Sequence, residues 1–186
     1  MLPLALDMSR IAVAVVGAGD VVVKRLRLMD EAGARHVSVY AAAATPELIE
    51  AAGDRLHAGL PDTAALASVR LVVVAGLARE AATRVAQAAR AAGALVNVED
   101  VVELCDVHLP ALVRRGDLTI AISTAGRSPA LARRLRRRIE RQYGPEWAGR
   151  LAELAEARRQ WRGEGLSPGE VSRRSDAFLD EKEWLA

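Results

Sequence analysis

Aromatic side chains are scarce in this 186-residue chain: Phe, Trp and Tyr make up 3% of it, although 51% of its residues are hydrophobic. Its core must be filled by Ala, Val and Leu, which suits helices packed on a valine-rich sheet. Cysteine occurs once, at Cys105. That excludes an internal disulfide and a multi-cysteine zinc site, and fits a reducing compartment. No apolar run approaches the roughly 18 residues a spanning helix needs. Neither sign of charge dominates, since 26 basic and 24 acidic side chains leave a formal charge of +2. A general affinity for nucleic acid or an anionic membrane is therefore not implied. The opening MLPLALDM lacks a basic leader, and Asp7 interrupts it before an apolar signal core forms. The expectation is a soluble, cytoplasmic protein with no nucleic-acid or membrane partner, long enough for one domain of about 100 to 150 residues with an appendage.

What is present is an alternation of strand and helix patterns. Ile11 to Val16 is a β-branched run ended by Gly17, the pattern of a strand buried on both faces. Val22, Leu26, Met29 and Ala32 recur at helical spacing before Gly33. Strands are expected at Val37 to Tyr40, Val69 to Ala75, Leu95 to Val98 and Leu118 to Ile122. A helix is expected from Thr45, with Thr45 as N-cap and Pro46 at the first helical position, and another over Ala78 to Ala92. Three more follow: Ser128 to Gly144, capped by Ser128 before Pro129, then about Glu146 to Arg162 and Ser167 to Leu185. The alternation predicts an α/β fold, a Rossmann-like parallel sheet with right-handed crossovers, followed by a small segment and a helical tail.

The turn from the first strand into the first helix reads Gly17, Ala18, Gly19, Asp20, Val21. In a dinucleotide fold the first glycine makes the turn, the second admits the pyrophosphate, and a third lets the helix approach the strand. Gly17 and Gly19 fill the first two roles. Val22 stands in the third place, so the helix is expected to sit slightly away from the strand. The acidic residue expected about 20 residues on is missing, because the second strand runs into Ala41 and Ala42. On these residues alone the turn is either an NAD cradle, with the adenosine side near Ala41 and Ala42, or a plain strand-to-helix turn.

Three segments together resemble the dehydrogenase and chelatase module of the siroheme synthase family. LPLALDMSRIAVAVVGAGDVVVKRLRLMDEAGA is similar to that family's Leu-Pro-Leu opening, its GGGxVAxRK turn and its LLEAGA helix end. ALVNVEDVVELC (Ala94 to Cys105) resembles its NVVD segment, and HLPALVRRGDLTIAISTAGRSPALARRLRRRIE (His108 to Glu140) resembles its long ISTxGxSPxLA run. The departures are Ala18 for the middle glycine, Val22 for the alanine, and Lys24-Arg25 for the usual Arg-Lys pair. Ala75, Gly76, Leu77 and Ala78 replace a common A-T-D-D. The resemblance implies NAD-dependent oxidation of precorrin-2 to sirohydrochlorin on a homodimer, with insertion of iron(II), as a second substrate, a further activity. It implies an NAD-binding domain over 1–113, a dimerisation segment over 114–145 and a helical C-terminal region over 146–186. No methyltransferase domain is expected within these residues, so the uroporphyrinogen methylation steps are expected of another protein. The rival is a non-catalytic module of the same fold that holds a tetrapyrrole or nucleotide as sensor or carrier.

Within that frame Asp100 matches the family's catalytic aspartate, able to accept the proton released on oxidation. From its residues alone it caps the short helix behind it, with Glu99 a solvated neighbour. Asn97 either positions substrate or satisfies a strand end. His108 either ligates iron and moves protons or is an ordinary half-buried histidine, and Cys105 reads as a small core filler. Thr124, Gly126 and Ser128 form a turn that holds a substrate carboxylate or merely caps a helix. The cluster Arg133 to Arg138 has no interleaved aromatics, so a solvated or dimer-facing helix is expected rather than a nucleic-acid surface.

Overall fold

The computed structural model describes residues 2–185. The chain divides into two compact units, with the division between Leu109 and Pro110.

The first unit is built on five parallel strands: β1 (Ala12–Gly17), β2 (His36–Ala41), β3 (Leu56–Ala58), β4 (Leu71–Ala75) and β5 (Leu95–Val98), in the order β3-β2-β1-β4-β5. Successive residues of β1 point to opposite faces. Val13 and Val15 pack with Val22, Leu26 and Met29 of α1 (Asp20–Glu31) and Leu48 of α2 (Pro46–Ala52). Ala14 and Val16 pack with Val72, Val74 and Val96 and with Val85, Ala86 and Ala89 of α3 (Arg79–Ala91). Both faces are apolar, which is why β1 and β4 read as unbroken valine runs. Because the chain leaves β1 for β2 on one side and returns as β4 on the other, β1 and β4 flank the point where the strand order reverses, and the carboxyl ends of the strands at such a point are where ligands of these sheets bind.

The second unit begins with an antiparallel hairpin of β6 (Ala111–Arg115) and β7 (Leu118–Ile122), turning at Gly116 with φ +58°. Helices α4 (Pro129–Gln142), α5 (Trp147–Gly163) and α6 (Pro168–Lys182) follow. Arg115 fastens the hairpin to α4, donating from Nε to the Tyr143 carbonyl (2.8 Å) and from Nη2 to the Glu140 carbonyl (3.1 Å). These are carbonyls that a helix end leaves without intrahelical donors. Most of the chain's few aromatics gather here. Trp161 and Trp184 each meet the Phe178 ring edge-on, and Arg150 lies 5.0 Å from the Trp147 ring centre. Among the described residues of this unit, the buried hydrophobic side chains are Val113, Ala132 and Val171.

Two strands escaped the pattern reading. β3 has three residues and none is β-branched; β6 reads Ala-Leu-Val-Arg-Arg, whose two arginines mask the strand pattern. β6 pairs with β7. The division of the chain consequently falls before β6, four residues ahead of the expected boundary at 113, and no division separates 114–145 from 146–186. Helix α6 stops at Lys182 rather than Leu185, because Glu183 turns left-handed at φ +50°.

Candidate active site

Gly17 and Gly19 do different work. A Cβ on Gly17 would fall 1.7 Å from the Ala75 carbonyl oxygen and 2.9 Å from Cγ2 of Val22. The missing side chain is what lets β1, β4 and the fully buried Val22 meet, so Val22 is accommodated without opening a gap between helix and strand. A Cβ on Gly19 would meet nothing within 4 Å, yet its φ of +72° disfavours any other residue. Gly19 is the N-cap of α1 and no side chain caps it. The amides of the helix's first turn, Asp20 and Val21 among them, have no side-chain cap, and the position of a Gly19 Cβ is open, which is what a pyrophosphate at a helix N-terminus needs. The residues present fit a dinucleotide. Gly76, where the family's acidic run is lost, has φ +66°, and a Cβ there would strike the Ala18 carbonyl at 2.2 Å. The loops after β1 and β4 thus press together, a closeness the sequence hid because Gly76 read only as a loss of polarity. Ala41 ends β2, buried, with its carbonyl accepting the Gly59 amide; Ala42 follows it, exposed.

Asp100 stands exposed just beyond β5 with φ +59°. Aspartate tolerates this left-handed region better than most residues. The capping alternative fails: the one-turn helix Val102–Leu104 has Val101 as N-cap and no side-chain cap bond. Glu99 is not a solvated neighbour either. Its Oε1 accepts a hydrogen bond from Nη2 of Arg25 on α1 at 2.7 Å, with both side chains roughly three-quarters enclosed. The loop is tied down at further points. The Glu99 amide bonds the Val74 carbonyl (2.9 Å). The Cys105 thiol accepts the Val98 amide (3.2 Å) and lies 3.2 Å and 3.4 Å from the carbonyl oxygens of Val98 and Val101. Cys105 is thereby a packed fastener rather than a ligand. Arg90 grips Asp106 through Nε and Nη2, and an Asp106 oxygen accepts the Val96 amide.

Asn97 is buried and its amide donates to the Val107 carbonyl at 2.9 Å. Its donor is used within the loop, which is the strand-end role. His108 is half-buried. Among the described residues no group of three or more His, Cys, Asp or Glu side chains gathers to hold a metal, so His108 belongs to no such group. In the second unit, the Thr124 hydroxyl accepts the Ser128 amide (3.2 Å) and the Ser128 hydroxyl accepts the Leu131 amide (3.2 Å). Gly126, exposed at φ +77°, completes a turn that caps α4. Of these residues Arg90 carries no signal in the sequence, whereas Arg25 enters it only within the reversed Lys24-Arg25 pair, Glu99 only as a neighbour of Asp100 and Gly76 only as a departure from the family run.

A family profile described as "Putative NAD(P)-binding" matches residues 4–111, and one described as "Sirohaem biosynthesis protein central" matches residues 115–142. The siroheme synthase of Methylococcus capsulatus is 40% identical over 157 residues, which cover 83% of this chain and 33% of the relative. That of Pseudomonas fluorescens is 35% identical over 182 residues, covering 97% of this chain and 38% of the relative. The chain therefore spans little more than a third of the length of these relatives. A solved structure titled "SirC, precorrin-2 dehydrogenase" is similar with a TM-score of 0.78 at 25% identity, covering 100% of this chain and 93% of that one. The five-stranded sheet, its glycine turn and the profile that spans them agree: the chain belongs to the putative NAD(P)-binding family, in the form that siroheme synthases carry.

Proposed function

We propose that the chain oxidises precorrin-2 to sirohydrochlorin with NAD, as a homodimer. The observation that carries this reading is Asp100, an exposed carboxylate on a fastened loop at the carboxyl end of an NAD(P)-binding sheet. Oxidation of the macrocycle removes a hydride and a proton. NAD held at the glycine turn supplies the hydride acceptor that no side chain can. Gly17, Ala18, Gly19, Asp20 and Val21 hold its pyrophosphate, and Ala41 and Ala42 border its adenosine side. Asp100 takes the proton. The turn of Thr124, Gly126 and Ser128 is the candidate for a substrate carboxylate, through hydroxyl protons that its caps leave uncommitted. The hydroxyls accept in those caps, so each still has a donor.

The test is anaerobic turnover of precorrin-2 with NAD by the whole chain and by Asp100→Asn. Asparagine also tolerates the left-handed backbone, so the variant keeps fold and NAD affinity while turnover falls by about two to four orders of magnitude. Near-normal conversion would remove Asp100 from the chemistry. A wild-type chain that binds NAD and precorrin-2 without converting them would instead support the sensor or carrier reading. Iron(II) uptake by the same variant tells whether insertion shares the carboxylate: loss of both activities means one site, whereas retained insertion directs attention to His108.

A further inference from the structure

The Arg25–Glu99 pair joins two parts of the first unit that the sheet holds apart. Arg25 lies in the second turn of α1, the helix that begins at the Gly19 turn. Glu99 immediately follows β5. β4 lies between β1 and β5 in the sheet, so the pair bridges past the end of a strand, between residues 74 apart in sequence. The segment after β4 is Gly76, Leu77 and Ala78, which offers neither partner a competing polar side chain. Partial enclosure shields the pair from salt and water, unlike the exposed pairs Arg10–Asp7 and Arg84–Glu80. Asp100 is the next residue, and Cys105 reaches the backbone on both sides of it, at Val98 before and Val101 after.

We infer that Arg25 and Glu99 are positioning residues: their ion pair makes the pyrophosphate-binding turn and the Asp100 carboxylate one rigid body, fixing the carboxylate relative to the cofactor. This rests on the reading of Asp100 as proton acceptor. The pair touches neither proton nor hydride and acts through Asp100 alone. Misplacing a reacting group by about 1 Å costs on the order of a hundredfold in rate, so even a small drift of the loop is visible in turnover.

Glu99→Gln preserves shape and removes the charge. Its expected effect is a fall in kcat of about ten- to a hundredfold, with KM for precorrin-2 and calorimetric NAD affinity within about twofold of the parent. Arg25→Lys, which keeps the cation, retains most of the turnover, whereas Arg25→Met behaves as Glu99→Gln does. The decisive variant is Asp100→Asn combined with Glu99→Gln. A residue that works through Asp100 has nothing left to act on, so the double variant turns over no more slowly than Asp100→Asn alone. Wild-type kcat in Glu99→Gln, or a loss that multiplies with that of Asp100→Asn, would overturn the inference while leaving the aspartate's own role standing. Near-normal turnover in Asp100→Asn alone would instead remove the reading beneath it.

Discussion

At the scale of single residues, glycine at 17 and at 19 answers different demands, and the two are separable by experiment. Gly17→Ala places a methyl group inside the Ala75 carbonyl. Backbone cannot swing away as a side chain can, so β1 and β4 must part and the whole unit suffers. The expected result is a thermal midpoint lowered by many degrees, or no soluble protein. Gly19→Ala meets no atom and carries only the backbone penalty of a conformation, φ 72° with ψ −172°, that essentially glycine alone adopts, on the order of 1 to 3 kcal/mol. It is expected to fold, with NAD affinity reduced more than tenfold because the methyl group occupies the space over the turn. Calorimetry on a folded Gly19→Ala that binds NAD normally would take the turn out of the site. The tight strand-to-helix turn at Gly17 and Gly19 was legible in sequence, since a strand, two glycines and a helix admit few geometries. The closeness of Gly76 was not, because nothing in sequence tells that a loop 58 positions away will rest on Ala18. Asp100 was legible only through family resemblance, and its backbone conformation not at all.

Among the elements, long strands with valine runs and helices with marked caps were readable. Thr45 accepts the Leu48 amide and Ser128 the Leu131 amide, as their positions before Pro46 and Pro129 predict. The cap of α6 went further than the sequence reading. Ser167 and Glu170 form a reciprocal box, the Ser167 hydroxyl accepting the Glu170 amide and the Glu170 carboxylate accepting the Ser167 amide. Hydrogen bonds from the Ser167 hydroxyl, then from its amide, hold the Glu170 carboxyl below its ordinary range. A lowered folded-state value means that the contribution to stability is present above the unfolded carboxylate's range and fades as pH falls through the lowered value. Ser167→Ala is expected to cost about 1 kcal/mol at neutral pH and to flatten the acid dependence of α6 melting. Identical acid unfolding profiles for parent and variant would show that the box contributes nothing. Short elements were the unreadable ones. β3 owes its existence to β2, and β6 to β7, so pairing rather than propensity makes them strands.

On the scale of the whole molecule, the second unit is short of interior. A two-stranded sheet is marginal in water by itself, α5 buries no residue completely, and α4 leaves Leu131 and Leu135, one turn apart, 50% and 37% exposed. These features support the proposed homodimer, in which a second copy would cover them. Light scattering is expected to give twice the chain mass at micromolar concentration, and Leu131→Glu with Leu135→Glu to give the single mass without loss of NAD binding. A monomeric parent would dismiss the dimer. The uneven placement of aromatic rings has an optical consequence. All three tryptophans, Trp147, Trp161 and Trp184, belong to the second unit, while the NAD-binding unit has Tyr40 as its one aromatic residue. Tryptophan emission is therefore blind to the sheet, whereas circular dichroism sees both units. Denaturation followed by the two signals at once separates them without any engineered probe: coincident curves would mean one cooperative transition, and an emission change that leads or lags would mean that the units melt apart.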